Sequence, residues 1–182
     1  MKIYVASLSD YNSGIMHGAW FDLSDYNDEE ELYAAIKSQV LETSPTAHAE
    51  GMDAAEEYAI LDYDDTHPSG LGEYENLDFL MEIQDCLNDC YNYEEELAFC
   101  EWLSEIHGLR SGYDFDYSSF EDAYCGKYDS EEDYAYQYIE ETGMLDSLPE
   151  WAQRYFDYKS FARDMFLDEY TMTESGHVFR LY

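Results

Sequence analysis

The chain has 182 residues, with 43 acidic side chains against 8 basic ones, for a formal net charge of −35. Such a field repels nucleic acid and anionic membrane surfaces, and no apolar run is long enough to cross a bilayer. Leu, Ile, Val and Phe make up only 35 residues, but 18% of the chain is aromatic, including 20 Tyr, which argues for a folded protein with a Tyr-rich core rather than a disordered acidic tail.

Residues 2–8 and 17–23 read as strands, joined by the turn formers Ser9–Gly14 into a hairpin. A helix is predicted next. Asn27 is its expected cap, with Glu30 three residues on, and Leu32, Ala35, Ile36 and Val40 recur on one face. A third strand is expected over 58–63, before the turn-rich stretch Asp64–Gly72. Residues 1–67 thus form an α+β block. Residues 68–109 read as helical, with Leu77, Leu80, Met81, Leu87 and Cys90 on one stripe. Asn92 and Glu95 start a second helix whose stripe is Phe99, Trp102, Leu103 and Ile106, stopped by Gly108. The last block, 110–182, starts near Arg110. Ser130 and Asp133 cap a helix ending at Gly143, Pro149 opens a short helix, and Asp157 caps another with Phe161, Ala162, Met165 and Phe166 inward. Tyr170–Met172 and Val178–Leu181 form a closing hairpin. The expected fold class is α+β, with three small domains in a row.

The N-terminus lacks the apolar core of a signal peptide, and Cys86, Cys90, Cys100 and Cys125 show no secreted-framework spacing, so a cytoplasmic protein with buried free thiols is expected. The sequence offers no catalytic or metal pattern. Candidate calcium loops starting at Asp62, Asp114 and Asp129 miss the required Gly at position six or Glu at position twelve. The five histidines are scattered singly, and no phosphate-binding glycine loop or nucleophile elbow occurs. An enzyme is not expected, nor is a cofactor or a bound metal.

The charge is evenly spread. Residues 1–67 hold 15 acids and 2 bases, residues 68–109 hold 11 and none, and residues 110–182 hold 17 and 6, for net charges of −13, −11 and −11. Duplex DNA carries one charge per ~1.7 Å of axis, so 35 charges at that density cover roughly 60 Å, or about 18 base pairs. On helices, acids at the spacings Asp78–Glu82–Asp85–Asp89 and Glu101–Glu105 fall on single faces and can imitate a line of phosphates. Salt adaptation, or an acidic chaperone for another basic protein, would also produce an acidic chain. The low-complexity acidic runs common in such chaperones are absent, the longest run being Asp28–Glu31.

The opening segment IYVASLSDYNSGIMHGAWFDL resembles the start of the ArdA antirestriction proteins. EYAILDYDD (57–65), LGEYENLDFL (71–80), YCGKYDSEEDYAYQYIEETG (124–143) and YFDYKSFARDMF (155–166) with the terminal VFR are similar to later parts of the same family, in order. The resemblance implies a DNA mimic encoded on a mobile genetic element. It would occupy the DNA-binding groove of type I restriction–modification enzymes and inhibit restriction, and often modification, without catalysis. It also implies three small domains in a row and an elongated homodimer joined through the third, with no direct nucleic-acid binding. Within this expectation the phosphate-mimicking acids are Asp78, Glu82, Asp85, Asp89, Glu94, Glu95, Glu101 and Glu105, together with Glu131, Glu132, Asp133, Glu140 and Glu141. The expected dimer contact is Phe115, Tyr117, Phe120 and Tyr124, which could equally fill the core of the last block.

Overall fold

The computed structural model describes residues 1–109 and 115–181, so the expected block start at Arg110 lies outside the described residues. Helices and two three-stranded antiparallel sheets make an α+β protein. The chain divides into two compact units, Met1–Asp114 and Phe115–Tyr182.

In the first unit, β1 (Lys2–Ser7) lies between β2 (Gly18–Asp22) and β3 (Tyr58–Asp64). Ile3 pairs with Phe21 on one side and Tyr63 on the other, and Ile3, Val5 and Phe21 are fully buried or nearly so. Gly18 permits the β1–β2 approach, since a Cβ there would lie 2.4 Å from the Val5 carbonyl oxygen. The hairpin is present, but its connector is not a simple turn. Leu8–Asn12 winds into a short helix, α1, capped by Ser7. Helix α2 (Glu29–Ile36) is capped by Asp28 rather than Asn27, its carboxylate accepting from Glu31 N–H at 2.8 Å. Glu31 in turn accepts from the Asn27 N–H at 3.0 Å, so the reciprocal box sits one residue later than the sequence reading put it.

The chain continues through a wide π-type turn, Lys37–Leu41, that keeps Val40 and Leu41 in the core, to α3 (Pro45–Ala49). Helix α4 (Leu77–Asp89), capped by Asn76, packs on α2 and on the turn at Leu23–Asp25. The Met1 ammonium donates to Gln84 Oε1 at 2.7 Å. Helix α5 (Tyr93–Glu101) is capped by Asn92 and runs into a second π-type turn, Trp102–Gly108, ending where Gly108 takes φ 92°. The first two sequence blocks both fall within this unit.

The second unit begins with α6 (Tyr117–Ala123) and β4 (Tyr124–Lys127), neither of which was expected. Helices α7 (Glu131–Thr142), α8 (Glu150–Gln153) and α9 (Tyr158–Asp168) follow, and then the hairpin β5 (Tyr170–Met172) and β6 (His177–Arg180). The sheet order is β4-β6-β5. Ser130 and Asp157 cap α7 and α9 as expected, and Gly143 closes α7 at φ 62°. The core is Tyr-rich. Tyr134 sits 5.1 Å from Tyr170, 5.0 Å from Tyr128 and 5.8 Å from Phe166 by ring centroids, above Ala135, Ala162, Met165 and Val178. Tilted and edge-on rings of this kind contribute ~0.5–1.5 kcal/mol per pair beyond the area they bury.

Candidate acidic interaction face

Helix α4 sorts its residues into two faces. Leu77, Leu80, Met81, Ile83, Gln84 and Leu87 are buried against the first unit, along with Phe79 and Cys86, so the buried side is wider than the stripe read from sequence. Cys90, placed on that stripe, lies just beyond the helix and is only partly buried. Asp78, Glu82, Asp85 and Asp89 are all exposed on the other side. Their spacing of four, three and four residues puts neighbours ~6 Å apart over about 16 Å of axis. One strand of a duplex sets about five charges over that length, so a row of four carboxylates approaches the charge density of one strand.

On α5 and the turn after it, Glu94 and Glu105 are exposed, while Glu95 and Glu101 are partly buried. Glu95 has a structural role, because it accepts from the Tyr91 N–H at 2.6 Å while its own N–H donates to Asn92 Oδ1 at 3.1 Å. In the second unit Glu131, Glu132, Asp133, Glu140 and Glu141 are exposed on α7. The first three lie in its first turn, where the positive end of the helix dipole favours them. Asp133 also accepts from Ser130 Oγ, and Glu141 from Gln137 Nε2, each at 2.5 Å.

No Lys or Arg occurs between Ser38 and Leu109, so the α4 and α5 carboxylates belong to a stretch with no lysine or arginine of its own. Elsewhere, among the described residues, Lys2 pairs with Asp22 (3.8 Å) and Asp65 (2.9 Å), Lys37 with Glu42, Arg154 with Glu150 and Arg163 with Asp164. Unlike the candidate acids, the Cys90 and Cys100 thiols are poor candidates for chemistry. Burial, reinforced by Glu95 and Glu96, pushes Cys90 up to about 12, and burial pushes Cys100 up further still. A thiol held neutral in this way is a weak nucleophile. Among the described residues no group of three or more His, Cys, Asp or Glu is disposed to hold a metal ion, and no helix is long and apolar enough to cross a membrane.

Of the aromatic residues expected at a dimer contact, Phe120 is fully buried. Its ring stacks 5.3 Å from Tyr124 and lies 6.4 Å from Phe179 of β6. Phe115, Tyr117 and Tyr124 are partly buried.

Fold and surface together define an acidic α+β protein whose helices display rows of carboxylates suited to a cationic partner surface. The model of the family described as "Antirestriction protein (ArdA)" matches residues 3–179, and the chain belongs to that family of antirestriction proteins. No curated protein matched the sequence.

Proposed function

We propose that this antirestriction protein acts as a non-catalytic DNA mimic. It occupies the DNA-binding groove of a type I restriction–modification enzyme and inhibits it stoichiometrically. The observation that carries this reading is the exposed α4 row, Asp78, Glu82, Asp85 and Asp89, in a stretch of 72 residues with no Lys or Arg. A groove that holds DNA is lined with Lys and Arg aimed at phosphates, and carboxylates at similar spacing can take those contacts. Long-range attraction speeds the encounter. Because phosphate contacts carry no base sequence, one mimic suits enzymes with different recognition sequences.

The acids Glu94, Glu95, Glu101 and Glu105 extend this face, and Glu131, Glu132, Asp133, Glu140 and Glu141 form a second one. Glu95 contributes least, since it is engaged at the α5 cap. The nearly equal charge of residues 1–67, 68–109 and 110–182 supports a contribution of all three blocks to the mimicry, although the first two share one compact unit. Homodimerisation through the last block would double the charged length to roughly 120 Å, about 35 base pairs. In that contact the partly buried Phe115, Tyr117 and Tyr124 would meet the partner, and Phe120, already inside its own unit, would support them.

The test is displacement. A type I methyltransferase holding labelled DNA is titrated with the protein. Full release of DNA near one inhibitor assembly per enzyme supports the proposal, whereas retention of DNA at large excess overturns it.

A further inference from the structure

Between the start of α2, the start of β3 and the start of α4 lies a cavity of about 290 Å³, lined by Glu29, Glu30, Tyr33, Tyr58, Glu75, Asn76 and Leu77. We infer that this cavity is an arginine-binding pocket that takes one guanidinium side chain of the cationic partner. This inference rests on the reading of the protein as an inhibitor of a DNA-binding enzyme.

Two features of the cavity converge on such a ligand. The first is its walls. The Tyr33 and Tyr58 rings lie 6.3 Å apart at 48°, with Tyr33 45% exposed and Tyr58 partly buried. Burial, with Tyr33 and the Glu29 charge adding to it, pushes the Tyr58 phenol up, so the ring stays neutral, as a cation-binding aromatic must. The second is charge: three of the seven lining residues are carboxylic acids, and none is cationic. Glu75 is held in place by the Gly72 N–H, which donates to its Oε1 at 2.9 Å. Asn76 Oδ1 is engaged in capping α4, accepting from the Asp78 N–H at 2.9 Å, so that oxygen is committed to the helix.

A metal ion fits this site poorly. The carboxylates are not disposed to coordinate one, and two aromatic rings offer it nothing. An organic cation uses both features. Among organic cations the guanidinium fits best, because it is planar and weakly hydrated, stacks on aromatic faces and bonds carboxylates in a bidentate fork. The volume lies at the low end of small-ligand sites, ~300–1,000 Å³, and so suits one side chain rather than a peptide or a duplex. The pocket would therefore act as a discrete anchor within an otherwise diffuse electrostatic interface, as buried aromatic–Arg contacts commonly do.

The probe is N-acetyl-arginine amide, titrated into the full chain at 150 mM salt and followed by NMR. The neutral isostere N-acetyl-citrulline amide is the control. Saturable shifts confined to Tyr33, Tyr58 and Leu77, at least tenfold weaker for citrulline, support the pocket. Tyr33→Ala, at an exposed position, and Glu75→Gln should each weaken the probe about tenfold while leaving the melting temperature nearly unchanged. Equal response to citrulline, shifts scattered over all carboxylate faces, or unaltered binding by Tyr33→Ala overturns it. Inhibition assays on the same proteins separate the two claims. Inhibition by the wild type without probe binding overturns the pocket alone. Probe binding without inhibition overturns the proposed function and leaves the arginine site standing.

Discussion

Asp10 shows how one residue can hold a carboxylate inside so acidic a protein. Its side chain is fully buried, and its lowered pKa keeps it ionised at neutral pH. Burial raises its pKa, but the polar surroundings supplied by Thr46, Ser44 and Ser7 outweigh that and bring it down to about 2. The strongest defined contact is the Thr46 N–H, which donates to Oδ1 at 2.8 Å at the start of α3. Since the folded-state value lies below the ordinary one near 4, the stabilisation is complete above that pH and is lost as pH falls toward 2. The shift corresponds to ~2 kcal/mol at neutral pH. Asp10→Asn should therefore unfold about 2 kcal/mol more easily at pH 7. The gap between variant and wild type should close on acidification, as chemical denaturation at several pH values would show. The comparison must be with the variant, because acid also relieves the general repulsion among carboxylates and moves the absolute stability the other way. Phe120→Ala should cost ~3–5 kcal/mol through the cavity it leaves, whether or not Phe120 also touches a partner.

At the scale of elements, α4 joins fold and function. Its apolar face anchors it to the first unit, and its acidic face is exposed. Neutralising Asp78, Glu82, Asp85 and Asp89 together, as Asn or Gln, should leave the fold intact and weaken inhibition at least tenfold. Each single change should weaken it less than about twofold, since single exposed charges contribute little. Inhibition titrations on the five variants decide between a shared face and a single dominant acid. Gly143→Ala should destabilise α7 by ~1 kcal/mol, because φ is 62° there and a Cβ would lie 2.6 Å from Asp146 Oδ2.

The elements legible in the sequence were those with a cap and several turns. Asn76 escaped notice, but Asn92, Ser130 and Asp157 marked their helices correctly, and the α4 acids were identifiable as the complement of its apolar stripe. Helices α1 and α3, of five residues each, are too short to show a period. Strand β4 has four residues, a register shift between Tyr124 and Gly126, and a partner fifty residues away. At α2 two adjacent residues could cap, and the reach of Glu31 decided for Asp28. The Tyr33–Tyr58 pocket left no sequence signal, because three separate segments build it.

At the scale of the whole molecule, the net charge of −35 is both a cost and a device. Self-repulsion opposes compaction, so the isolated protein should grow more stable as salt rises. Binding to a cationic groove should respond in the opposite sense, since the same ions screen the attraction over a Debye length of ~8 Å at 0.15 M. Opposite salt dependences of folding and inhibition would separate DNA mimicry from simple salt adaptation, which predicts the first without the second. The measurement that tests the central claim most directly is the affinity for a type I methyltransferase across a salt series. The account predicts a steep loss of affinity with rising salt, with a shallower slope for the fourfold α4 variant. An affinity unchanged from low to high salt would contradict it.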